Sequence, residues 1–126
     1  MNTLWGPTFK VIIAGGRKFN DYPLLKEKLD NLLSKVCKTH LIHIVSGTAN
    51  GADKLGEQYA SSQFLPVIPY PADWKKHGKS AGYKRNALMA DNADALVAFW
   101  DGKSLGTMHM IELAKRKGLK VRVINY

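Results

Sequence analysis

The chain has 126 residues, 45% of them apolar, with 19 Lys and Arg against 10 Asp and Glu, and a single cysteine. That length suits one domain over residues 1–126 with a substantial core, and the lone Cys37 excludes a disulfide framework and a cysteine-based zinc site. The net charge of +9 points to an anionic partner without choosing among nucleic acid, nucleotide and acidic protein.

In chain order, the opening segment Met1–Pro7 has neither the basic start nor the apolar stretch of a secretion signal. No later apolar run approaches the roughly 18 residues of a membrane span. The expectation is a cytoplasmic protein with no membrane partner, and one cysteine suits a reducing compartment. Lys10–Ala14 is the first short, nearly continuous apolar run and reads as a buried strand. Leu25, Leu29, Leu32, Leu33 and Val36 then recur at helical spacing, with Asp21 as N-cap and Pro23 in the first turn. Leu41–Val45 is a second strand, and Ala52, Leu55, Tyr59 and Ala60 mark a second helix. Val67–Tyr70 is a third strand, followed by a helix on Ala87, Leu88, Met89 and Ala90. Ala95–Phe99 is a fourth. Met108, Ile111, Ala114 and Lys115 form the last helical stripe, which stops at Gly118 before a fifth strand at Lys120–Ile124. Strands alternating with crossover helices predict a Rossmann-like, doubly wound, five-stranded parallel sheet flanked by helices. Ligands of such sheets bind at the carboxyl ends of the strands.

The strand ends carry the polar and glycine residues. After the first come Gly15, Gly16 and Arg17: glycines allow a tight turn and close approach, and arginine offers a bidentate fork to phosphate. After the second come Ser46, Gly47, Thr48, Asn50, Gly51 and Asp53, leading into a helix N-terminus suited to an anion. This loop lacks the Gly-Lys-Ser/Thr close of a Walker A motif and the G-x-G-x-x-G spacing of a dinucleotide fingerprint. Its other reading is an ordinary capped helix, with Asp53 favourable in the first turn. After the third strand comes Trp74, placed to stack on a base, and Lys75, Lys76, Lys79, Lys84 and Arg85 with no acid among them. Lys84, Arg85 and Asn86 read as the first turn of the third helix, where positive charge opposes the helix dipole unless an anion is near. After the fourth come Asp101, Gly102, Ser104, Gly106 and Thr107, with Thr107 as the expected N-cap and Met110 at the acidic position of a capping box. His40 and His43 face opposite sides of a strand, and His77 and His109 read as polar contacts, so no metal site is expected. Met108 and Met110 read as core, and Cys37 as an interior or helix-end residue.

Together these segments resemble the SLOG superfamily, in its small YspA-like branch, a Rossmann-like group related to the LOG (lysine-decarboxylase-like) proteins and to DprA. The matching stretches are Ala14–Arg17, Ser46–Asp53, Tyr70–Trp74, Gly82 with Arg85-Asn86, and Phe99–Ser104 with Gly106-Thr107. The resemblance implies a nucleotide or nucleotide-derived ligand held across these loops, no further cofactor, and a homodimer or larger assembly in a bacterial or phage setting. LOG phosphoribohydrolases carry Gly-Gly-x-Gly-Thr-x-x-Glu after the fourth strand. Here Gly106-Thr107 is kept, but Met110 stands at the glutamate position, and Glu112 lies about 200° around the helix from it. The YspA-like pattern also leads one to expect Gly at Thr48, Arg at Asn50 and an acid at Lys18.

The leading expectation is a sensor or sequestering protein for a small phosphorylated ligand: an ADP-ribose-like molecule, a nucleoside monophosphate or a cyclic nucleotide signal. Gly15, Gly16, Ser46, Gly47, Gly51, Gly106 and Thr107 would cradle it, Arg17 and Arg85 would neutralise it, and Trp74 would stack on its base. The alternatives are a nucleotide hydrolase using Asp53, Asp101 or Glu112 with Arg85, and DprA-like nucleic-acid binding.

Overall fold

The computed structural model describes residues 6–126. Met1–Trp5, which make up most of the opening segment without leader character, lie outside the described residues. Five strands, β1 (Thr8–Gly15), β2 (Leu41–Ser46), β3 (Val67–Pro69), β4 (Ala95–Trp100) and β5 (Lys120–Asn125), form one sheet in the order β3-β2-β1-β4-β5. Every pairing is parallel, with Val11 opposite Ile44 on one side and Ala95 on the other. The helices are α1 (Tyr22–Leu33), α2 (Ala52–Ser62), the single turn α3 (Trp74–His77), α4 (Ala81–Asp91) and α5 (Leu105–Arg116).

The near-continuous apolarity of β1 and β4 has a direct cause: both faces of these central strands are covered. Val11, Ile13, Ala95, Val97 and Phe99 pack with Leu25, Leu29, Ala52 and Tyr59, on the side of α1 and α2. Ile12, Ala14, Leu96 and Ala98 pack with Met89, Met110, Ile111 and Ala114, on the side of α4 and α5. Each buried aliphatic side chain contributes about 1.5–3 kcal/mol, so these two layers hold the strand ends, and hence the loops, in place. Among the described residues no helix is long and apolar enough to cross a membrane.

Asp21 caps α1 as expected, accepting from Leu24 N at 3.1 Å, and Gly118 follows α5 in a left-handed conformation. Several local expectations differ. α1 ends at Leu33, and Val36 opens a separate 3-10 turn in which Cys37 is exposed. α3 was not anticipated; Asp73 caps it by accepting from Lys76 N. α4 begins at Ala81, so Lys84, Arg85 and Asn86 sit in its second turn, beyond the strongest dipole, and Leu88 points outward. The cap of α5 is Ser104 and not Thr107: its Oγ accepts from Thr107 N, and the two hydroxyls lie 3.0 Å apart. Met110 is buried as expected, whereas Met108, two residues away and therefore about 200° around the helix, is partly exposed.

Candidate functional site

From β1 the chain winds outward through β2 to β3, and β4 and β5 occupy the other side. β1 and β4 are therefore the neighbours at which the strand order reverses, and their following loops part to leave a crevice. Gly16 N bonds to Phe99 O at 3.2 Å across this junction.

The β2–α2 loop is held by internal bonds. Ser46, fully buried, donates its hydroxyl to Glu57 Oε2 at 2.6 Å and accepts from Thr48 N at 3.1 Å. Asp53 Oδ2 accepts from Ala49 N at 3.2 Å, and Arg85 Nη1 donates to the Gly47 carbonyl. A side chain at Gly47 would place Cβ 2.5 Å from Arg85 Nη1 and 2.8 Å from Asp53 Oδ2. Gly51, at φ +81°, brings the loop against Gly16 and Arg17, and the neighbouring Ala52 N donates to Gly16 O at 3.2 Å. Two amides that a phosphate nest would offer, Thr48 and Ala49, are thus already engaged. Positive charge at this strand end comes from arginine side chains.

Two adjoining cavities occupy the crevice. One, of about 240 Å³, lies between Gly15, Asp53, Asn86, Ser104, Gly106 and Thr107, with Met89 and Met110 also lining it. The other, of about 280 Å³, lies over Gly47, Thr48 and Asn50 against Pro71 and Ala72. Arg17, Ala49, Trp74 and Arg85 line both. Arg17 is exposed, its guanidinium carbon 6.0 Å from the centroid of the half-exposed Trp74 ring. The ion pairs among the described residues are Lys26–Asp30, Lys54–Glu57 and Lys117–Asp91, so neither crevice arginine is neutralised by a direct carboxylate contact. Burial lowers the Arg85 pKa, Asp53 opposes that shift, and Arg17 reinforces it. Burial raises the Asp53 carboxyl to about 6; the Ala49 bond, Arg85 and Arg17 pull it down, while Glu57 pushes it up. A carboxyl of this kind in a cleft is a candidate proton carrier.

On the α5 side, buried Asn86 accepts from Arg85 Nε at 3.0 Å and places its amide nitrogen 3.4 Å from Gly106 O and 3.2 Å from His109 Nδ1. Asp101 stays outside the cavities; it accepts from Lys103 N and Ser104 N in an exposed turn, and those bonds hold its carboxyl below the usual range. Gly102 is a left-handed residue of the same turn. Glu112 is exposed on α5 and lines neither cavity. Gly16, Ser46 and Gly51 also lie outside the cavity walls and shape the loops instead. The structure therefore brings Asp53 and Arg85 together and keeps Asp101 and Glu112 apart from them. Glu57 and Tyr83 have no assigned role in the sequence analysis, whereas His109, expected there as a polar contact, makes one with Asn86. Glu57 had one readable signal, its i+4 spacing from Asp53 on one helix face. Among the described residues no three His, Cys, Asp or Glu side chains converge as a metal site.

Comparison with known proteins adds to this geometry. The family model described as YAcAr, the YspA, cpYpsA-related SLOG family, matches residues 9–77. The Gene 61 protein of Mycobacterium phage D29 is 33% identical over 118 residues, covering 89% of this chain and 93% of that protein. DNA processing protein A (DprA) from Streptococcus pneumoniae shares the fold with a TM-score of 0.72 at 16% identity, over 98% of this chain and 52% of that one. DprA from Helicobacter pylori does so with a TM-score of 0.65 at 22% identity, over 91% and 64%. The chain thus spans between half and two thirds of the DprA chains it matches. With the family model covering more than half of its length and the phage relative nearly all of it, the chain belongs to the YspA, cpYpsA-related SLOG family.

Proposed function

We propose that this protein binds a small phosphorylated nucleotide or nucleotide-derived ligand in the crevice at the strand ends, as a sensor or a sequestering protein in the cytoplasm of a bacterium or a phage-infected host. The observation that carries the reading is the pair Arg17 and Arg85, both lining the crevice and neither in contact with a carboxylate. An unpaired, half-buried guanidinium is costly to hold without an anion, and a phosphate receives its fork bidentately. Trp74 supplies a ring face at the same rim. Leu88 on α4 and Leu105 and Met108 on α5 offer exposed apolar surface that a homodimer would bury, and sedimentation would show it.

Calorimetry with ADP-ribose, nucleoside monophosphates and cyclic dinucleotides tests the reading. At least one class should bind, and Arg85→Ala should weaken it by about tenfold or more, the loss expected for a charge-assisted contact. Absence of binding to every class would overturn it. Mass spectrometry of the same samples should return the nucleotides unchanged. Turnover would instead favour a hydrolase built on Asp53 and Arg85.

A second reading is direct nucleic-acid binding. The Helicobacter pylori DprA structure was described for a single-stranded DNA binding mode, and here the fold is joined to a charge of +9 with five basic residues between Lys75 and Arg85. A mobility shift with single-stranded oligonucleotide that survives about 150 mM salt would promote it.

A further inference from the structure

We propose that His109 is a positioning residue for the anion site: through the Asn86 amide it keeps the Arg85 guanidinium seated only while its own ring is neutral. The consequence for ligand affinity rests on the anion-binding reading above; the coupling itself does not.

One buried amide sets this coupling through its donors and acceptor. Asn86 has a single acceptor oxygen, which Arg85 Nε uses at 3.0 Å. Its nitrogen then faces the Gly106 carbonyl at 3.4 Å and His109 Nδ1 at 3.2 Å. Nδ1 must therefore accept, and the imidazole proton sits on Nε2. Protonating the ring puts a hydrogen on Nδ1, opposite the amide NH2, so two donors meet. Turning the amide over would restore a partner for His109. It would also set NH2 against Arg85 Nε and take the donor away from Gly106. No orientation serves both cations, so a charged His109 and the Arg85 Nε bond to Asn86 exclude each other, leaving the guanidinium held only through Nη1 at the Gly47 carbonyl.

The surroundings favour the neutral ring. Burial, with Arg116 on α5, lowers the His109 pKa against the opposing pull of Glu112 on the same helix. From α4, Tyr83 packs its ring against the imidazole, with centroids 4.4 Å apart at 67°. His109 itself lines neither cavity.

The test compares wild type, His109→Asn and His109→Ala by nitrogen-15 NMR across about pH 5–8. Asparagine places an acceptor oxygen where Nδ1 stands and cannot gain a charge. In wild type, the Arg85 Nε–H and Asn86 side-chain amide signals should move with the titration of His109. In His109→Asn the Asn86 signals should stay fixed and Arg85 Nε–H should follow Asp53 alone, and in His109→Ala both should be displaced at every pH. ADP-ribose, whose pyrophosphate does not titrate in this range, is the binding probe. Wild type should lose about three- to tenfold in affinity relative to His109→Asn as the ring becomes charged. Asp53 titrates in both proteins, so the ratio isolates His109. Fixed Asn86 signals, with Arg85 Nε–H following Asp53 alone, while His109 titrates would overturn the proposal, as would coupled signals with a pH-independent affinity ratio. Coupled signals in a protein that binds no nucleotide would leave the relay standing and remove the anion-site reading.

Discussion

At Asp53, burial separates the folded and unfolded titrations: the carboxyl moves from its ordinary 3.8 to about 6. Between those values the folded chain keeps a proton that the unfolded chain has released. The associated stability is fully present below 3.8 and is lost as pH rises through about 6. The loss is on the order of 3 kcal/mol for a group this deeply buried. Asp53→Asn is therefore expected to unfold at a higher temperature than wild type near about pH 7.5, with the two curves converging toward about pH 4. Thermal melts at both pH values check this. The same substitution removes a like charge from beside an incoming phosphate and should tighten ADP-ribose binding. Thr48 is a second residue held at a cost. A β-branched side chain at φ +65° is strained by about 1–3 kcal/mol, and glycine there would lose about 0.5–1 kcal/mol through its freer unfolded state. The strain is the larger quantity, so Thr48→Gly should stabilise the fold by about 1 kcal/mol, read as a raised denaturation midpoint. This is also the position at which the family pattern leads one to expect glycine.

Among the elements, α2 approaches the sheet closely at Gly56. A Cβ at that position would stand 2.8 Å from both Cβ and Cγ2 of Ile13. Ile13 belongs to the central strand β1, which is paired on both sides and has little room to yield. Alanine would gain about 1 kcal/mol of helix propensity, against about 1–3 kcal/mol for overpacking. Gly56→Ala should therefore lower stability by about 1 kcal/mol, with the urea midpoint falling and the slope unchanged. The displacement would also reach the crevice, because α2 carries Asp53 and Glu57, the partners of Ala49 N and Ser46 Oγ.

For the whole molecule, the charge of +9 separates the two functional readings by their response to salt. A compact ligand seated on Arg17 and Arg85 is screened less than a polynucleotide spread over exposed lysines. Replacing Lys75, Lys76 and Lys84 with alanine should reduce the salt slope of oligonucleotide binding by about two, at roughly 0.7 for each phosphate no longer neutralised. Affinity for ADP-ribose should change little, since none of the three lines a cavity. A fluorescence titration at several salt concentrations measures both.

The sequence by itself determined the five strands, the four longer helices, the parallel sheet and the loops that border the crevice. Burial on both faces of β1 and β4 writes an unbroken apolar run, and helices packed on one side write a 3.6-residue stripe. It also marked Arg17, Trp74 and Arg85, because charge and an indole near the strand ends stand out against a buried core. Only the tertiary structure decided the strand order, the depth that raises Asp53, the bond of Glu57 to Ser46, and the meeting of Asn86 with His109. Periodicity records which face of an element is covered but not by what. The partner of a polar side chain on another element is set by docking distances of a few ångströms, and these exist only once the two helical layers have closed on the sheet.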